Sequence, residues 1–217
     1  KTIFTKFGSV RYFSNYFTAI DLVYRNVYEA LHCTNDILGF MILIDGKKEA
    51  ALLREQLKKE VSDLKIKYNK VPGLTVILIG DLTPSQIYVR NKEKSANEVG
   101  LKSDVIKYPD SVEEKVILEK IDELNKDNSV SGILVQLPLP KHIDKQKIIE
   151  AIDPSKDVDG FHPMNVGNLS SGYESSVPCT PLGCYLLIKK IEPNLNGKKA
   201  VVVGRSNLNG KPMTQLL

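Results

Sequence analysis

Lys92 stands four residues after Tyr88 in the middle of the apolar stripe of a helix, where a charge is out of place. With a period of 3.6, Ser85, Val89, Lys92, Ala96 and Val99 share one face, Tyr88 lies beside Lys92, and Arg90, Lys94 and Asn97 turn away. Two accounts fit such a lysine. It can snorkel to the rim of a core. Alternatively, its amine stands in a partly dry pocket, where burial disfavours the ammonium form and lets a lysine exchange protons near neutrality.

Three further segments carry chemistry. Gln136 ends the apolar run Gly132-Ile133-Leu134-Val135 and precedes Leu137-Pro138-Leu139-Pro140. Ligands of open α/β sheets bind at the carboxyl ends of strands, although a strand-end amide also serves to satisfy a loop. Lys156-Asp157-Val158-Asp159-Gly160-Phe161-His162-Pro163 sets two carboxylates at i and i+2 in a loop. They can stabilise the turn or accept hydrogen bonds from a ring bearing N–H donors. Finally, Ala200-Val201-Val202-Val203 runs into Gly204-Arg205-Ser206-Asn207-Leu208-Asn209-Gly210 and an apolar helix start. A strand, a glycine turn and a helix N-terminus can offer N–H groups to a phosphate, and Arg205 can pair with it. The spacing is not GxGxxG, and a purely structural βα turn looks much the same.

The elements that must position these residues alternate. Glu49 to Tyr68 reads as a charged amphipathic helix and Leu74 to Ile79 as a buried strand. The Lys92 helix follows, with Thr83 as N-cap, Pro84 at the first helical position, Gln86 as capping-box partner and Gly100 as the stop. Lys102 to Tyr108, a helix over Val112 to Asn125, the run Ser131 to Leu137 and a helix over Lys145 to Ala151 continue the order. It predicts a parallel sheet covered on both faces. Residues 153 to 172 read as irregular, Thr180-Pro181 as the cap and first turn of a helix to about Ile191, and Lys199 to Val203 as a short buried strand.

Composition narrows the partners. The 217 residues carry 30 basic and 26 acidic side chains, a net charge of +4 spread along the chain, so no nucleic-acid footprint is expected. Cys33, Cys179 and Cys184 have no metal-ligand spacing and read as reduced thiols, with no metal site expected. His32, His142 and His162 are scattered and read as structural or surface residues, and no apolar run is long enough to span a membrane. Residues 1 to 40 are rich in Phe and Tyr and low in acids. They read as an organelle presequence, as an added helix with Ile20, Val23, Val27 and Leu31 on one face, or as sequence upstream of a start at Met41. The last is preferred, because the regular pattern begins there.

Six motifs occur in one order: Ile-Asp-Gly-Lys at 44 to 47, Tyr-Val-Arg-Asn-Lys at 88 to 92, Gly-Ile-Leu-Val-Gln-Leu-Pro-Leu-Pro at 132 to 140, Lys-Asp-Val-Asp-Gly-Phe-His-Pro at 156 to 163, Pro-Cys-Thr-Pro-Leu-Gly at 178 to 183 and Val-Gly-Arg-Ser at 203 to 206. In this order, from Met41 to Leu217, the chain closely resembles the bifunctional methylenetetrahydrofolate dehydrogenase and methenyltetrahydrofolate cyclohydrolase family. The resemblance implies an α/β fold: an N-terminal catalytic domain with a mainly parallel sheet over 41–180, then the beginning of a Rossmann-like NADP-binding domain over 181–217. Residues 1–40 stay unassigned.

It also implies roles. Lys92 is the catalytic residue, Gln136 tunes it, and Asp159 binds the pterin ring. Tyr88 stacks on the folate, Val135 and Leu137 flank the same pocket, and Gly204, Arg205 and Ser206 contact the nucleotide phosphate, favouring NADP over NAD. The implied partners are tetrahydrofolate one-carbon derivatives and a second copy of the chain in a homodimer. The implied compartment is the cytoplasm, or the mitochondrion if residues 1–40 are a presequence. The family's cofactor domain runs on through further strands and helices, so no complete NADP site is expected within this segment. Two departures stand out: Leu82-Thr83-Pro84-Ser85 where the family usually has Asn-Pro-Ala-Ser, and Asn209 at a usually apolar position. A single-activity enzyme and a non-catalytic folate binder remain as alternatives. A short-chain dehydrogenase also carries Tyr-x-x-x-Lys, but there the nucleotide turn precedes the tyrosine.

Overall fold

Every residue of the strand Gly73–Ile79 (β1) is buried, and the rest of the structure is arranged around it. The computed structural model describes residues 42–217, so the readings of residues 1 to 40 lie outside the described residues. β1 is flanked by Lys102–Tyr108 (β2) and Gly132–Val135 (β3) in the order β2-β1-β3, both pairs parallel. The registers set Gly73 against Lys102 and Leu74 against Gly132. This is an α/β fold with a parallel sheet, as the alternation predicts.

Alternation along the strands divides the core in two. Ile77, Ile79, Ile133 and Val135 point to one face, where they meet Ile117, Ile121 and Leu124 of helix Glu114–Lys126 (α3) and Ile148 of helix Lys145–Ala151 (α4). Leu74, Val76, Leu78 and Leu134 point to the other and meet Val89 of helix Thr83–Glu98 (α2) and Val158. Helix Gly46–Tyr68 (α1) packs outside α2 by Leu57 and Val61, spaced one turn apart, against Ala96, Val99 and Leu101. Edge strand β2 alternates between exposed and partly buried residues, as a strand covered less than β1 should.

The ends of α2 show which local signals prevail. Gly100 at φ +85 stops it, with the Leu101 N–H bonded back to the Ala96 carbonyl. At the start, the expected capping box does not form. Leu82 occupies the cap position, and the Gln86 N–H is already taken by the Leu82 carbonyl, so Thr83 is drawn into the helix and has no donor to accept from. The Gln86 side chain donates to Asp81 instead.

Three other expectations are corrected. Residues 153 to 172 are not irregular throughout, since Pro163–Ser170 is a helix (α5). His162 caps it by accepting the Met164 N–H at Nδ1, and Pro163 holds the first position. The next helix, Cys179–Ile191 (α6), starts before Thr180, with Pro178 in the cap position. Lys199 to Val203 forms no strand, and Val201 and Val203 are 89% and 99% exposed. A strand is held by its ladder, and among the described residues this segment has no neighbour to pair with. The last helix, Gly210–Leu216 (α7), packs on α5 and α6.

Gly132 couples the sheet to the loop after α4. A Cβ there would lie 2.3 Å from Val158 Cγ1, next to Asp159. Gly132→Ala is expected to destabilise the fold by about 1–3 kcal/mol through overpacking. Urea unfolding measures this, and a wild-type midpoint would mean that Val158 gives way freely.

Candidate active site

α2 presents Tyr88, Asn91, Lys92 and Ser95, an i, i+3, i+4, i+7 set, to a cavity of about 270 Å³. Gln136 and Leu137, at the end of β3, and Asp159 and Phe161, from the loop after α4, form its opposite side. Cys179 and Thr180 at the start of α6 and Leu208 and Asn209 before α7 complete it.

The lysine and the amide are a fixed pair. Lys92 Nζ donates to Gln136 Oε1 at 3.1 Å, and Gln136 Nε2 donates to the Leu137 carbonyl at 2.7 Å, which orients the amide oxygen toward the lysine. The Gln136 backbone N–H bonds Ile77 O at 2.9 Å, so the residue carrying the amide continues the β1–β3 ladder. The strand's pleat decides the rest. Gln136 points to the α2 side, while Val135 points into the layer with Ile117 and Ile148 and does not line the cavity.

The Lys156–Asp159 segment divides its labour. Lys156 Nζ donates to the carbonyls of Leu124, Asn125 and Asp127, closing the end of α3, and burial lowers its pKa. Asp157, 3% exposed, accepts N–H bonds from Gly160, His162 and Asn165 and is structural. Asp159 alone turns into the cavity. Its carboxyl is pushed up to about 6, chiefly by burial; the Lys92 charge opposes the rise and the Asp157 charge adds to it.

The glycine turn stands apart. Gly204, Arg205 and Ser206 are exposed and do not line the cavity, although Leu208 and Asn209, two and three residues past Ser206, do. A Cβ on Gly210 would lie 2.3 Å from Gly204 O, so the turn closes tightly on itself. The Ser206 hydroxyl accepts the N–H groups of Asn209 and Gly210. Burial raises the Cys184 thiol, which argues against a nucleophile there. No group of three metal-ligating side chains occurs among the described residues.

Asn91 and Ser95 were detectable from sequence, because they share the helical face of Tyr88 and Lys92. Cys179, Thr180 and Asn209 carried no such signal; only folding brings them to α2.

Residues 44–159 match the family Tetrahydrofolate dehydrogenase/cyclohydrolase, catalytic domain, and residues 178–217 match its NAD(P)-binding domain. The chain is 81% identical over 177 residues to bifunctional protein FolD of Pelagibacter ubique, covering 82% of this chain and 63% of that protein. It thus spans less than two thirds of this relative's length. Among solved structures, the bifunctional enzyme FolD of Campylobacter jejuni superposes with a TM-score of 0.79 at 48% identity, covering 82% of this chain and 63% of that one. The Trypanosoma brucei methylenetetrahydrofolate dehydrogenase-cyclohydrolase, complexed with NADP cofactor and inhibitor, superposes with a TM-score of 0.78 at 34% identity, covering 82% and 61%.

Proposed function

The chain belongs to the tetrahydrofolate dehydrogenase/cyclohydrolase family, and from that premise we propose that its full-length protein oxidises 5,10-methylenetetrahydrofolate with NADP and hydrolyses the product to 10-formyltetrahydrofolate. The observation that carries the proposal is the meeting of Lys92, Gln136 and Asp159 in one cavity walled by Tyr88.

In the first step a hydride leaves the one-carbon bridge, which requires the donor and acceptor carbons to be held face to face. NADP, when bound, supplies the hydride acceptor. The chain's own part is to hold the folate ring: Tyr88 offers its ring for stacking, and the Asp159 carboxylate accepts from ring N–H groups. In the second step water adds to the methenyl carbon, a carbon–nitrogen bond opens and one proton is released. Lys92 handles that proton, while the Gln136 oxygen orients its amine.

The nucleotide segment fits in part. Arg205 is exposed and makes no ion pair among the described residues, and nothing lies within 4 Å of a Cβ on Gly204, leaving room for a phosphate. Arg205 would hold that group, with Gly204 and Ser206 giving it backbone access. We divide the chain near residue 180, with folate chemistry before it and nucleotide binding after. No helix among the described residues is long and apolar enough to cross a membrane. Cytoplasmic residence and a homodimer complete this reading.

The test is absorbance-followed turnover in the full-length protein. NADP-dependent oxidation followed by methenyl hydrolysis is expected. Hydrolysis without NADP reduction would replace the proposal with a cyclohydrolase, and binding without turnover would replace it with a folate carrier.

A further inference from the structure

Asn165 does not touch the cavity, yet it is 2% exposed in the first turn of α5 and spends both N–H bonds of its amide on the loop that carries Asp159. Its Nδ2 donates to Asp157 Oδ2 at 2.9 Å and to the Pro154 carbonyl at 2.9 Å. Asp157 in turn takes the Gly160 N–H at 3.1 Å on Oδ1 and the His162 N–H at 2.8 Å on Oδ2. One buried carboxylate, two residues before Asp159, therefore gathers three donors from the residues that follow Asp159.

Two other contacts seat this clamp. The Ile133 N–H bonds the Lys156 carbonyl at 2.8 Å, and Ile133 bridges to Asp157 in parallel, so the segment before Asp159 is tied to β3. Gly160, at φ +68, lies so close to the next segment that a Cβ would come within 2.7 Å of Ser176 O. With residues 157, 160 and 162 held, the side chain of Asp159 has little freedom beyond its own rotamers. None of these contacts involves Lys92 or Gln136.

We infer that Asn165 is a positioning residue: through Asp157 it fixes the 157–162 turn so that the Asp159 carboxylate faces a ring ligand beside Lys92. This rests on the folate reading of the cavity. An Asn165→Ala change would loosen the turn while leaving the Lys92–Gln136 pair in place, so ring binding should suffer more than the proton step.

The test is steady-state hydrolysis of 5,10-methenyltetrahydrofolate by the full-length protein, with thermal unfolding measured on each variant. Asn165→Ala is expected to raise KM about tenfold or more, the cost of one hydrogen bond to a charged group, and to leave kcat within about threefold. Ile121→Ala, a core truncation in α3 remote from the loop, is the control for mere destabilisation and is expected to leave KM unchanged. If Asn165→Ala raises KM no more than Ile121→Ala does, the inference is overturned. Should Asn165→Ala fail to fold, Asn165→Leu keeps the shape of the side chain without a donor for Asp157, and a KM equal to wild type would overturn the inference equally. A wild-type protein without hydrolysis would remove the folate reading, and this inference with it; a working wild type with an indifferent Asn165 removes only the inference.

Discussion

Lys92→Met in the full-length protein is expected to lower methenyl hydrolysis by about 10²- to 10⁴-fold, the range a positioned acid or base supplies, while the fold survives. Met fills the volume of the lysine stem and forms helix as readily as Lys, so α2 has no reason to fray. The substitution leaves Gln136 Oε1 without the 3.1 Å donor it now has. That loss costs about 1 kcal/mol at most, because the amide is only partly buried and water can replace the amine. The dehydrogenase half should fall less, since hydride transfer depends on how the carbons are held and not on a proton at Nζ. Hydrolysis above a tenth of wild type in a folded variant would take Lys92 out of the proton step.

The charge at Lys92 was legible because a helix has only one period: Val89, Ala96 and Val99 had to be buried, and Lys92 lay between them. The parallel sheet was legible for a similar reason, since buried runs separated by amphipathic helices leave few other arrangements. What escaped reading depended on competition between equivalent signals. Thr83 and Leu82 both precede Pro84, and only the backbone bond from Gln86 to Leu82 decides which one caps the helix. The α5 helix was hidden by the glycines around it, although His162-Pro163 was a start signal. Val201 and Val203 have the composition of a strand, but composition cannot supply a neighbour. The two aspartates at 157 and 159 looked alike in sequence. Their separate roles come from Asn165, eight residues past Asp157, which claims one carboxylate and leaves the other facing Lys92.

Asp159→Asn is expected to stabilise the protein near pH 8 and to weaken binding of a pterin ring at the same time. The Asp159 carboxyl is pushed up from its ordinary 3.8 to about 6 by burial first, with the Asp157 charge adding and the Lys92 charge opposing. A carboxyl whose proton is held more tightly in the folded state favours folding below about pH 4 and loses that advantage as pH rises through about 6. Near pH 8 the penalty is complete, at most about 3 kcal/mol for a rise from 3.8 to about 6, and less in practice because the residue is only half-buried at the cavity wall. An amide at this position removes the penalty, so the unfolding midpoint should rise near pH 8 and stay unchanged near pH 4. Ring binding moves the other way: a carboxylate offers two acceptor oxygens, whereas an amide offers one acceptor and presents a donor to the ring's own N–H groups. Stability gained and affinity lost through a single atom's change is the behaviour of a group held at a binding site against the preference of the fold. Loss of stability at both pH values would instead make Asp159 a member of the structural clamp with Asp157, and the ring would need another acceptor in the cavity.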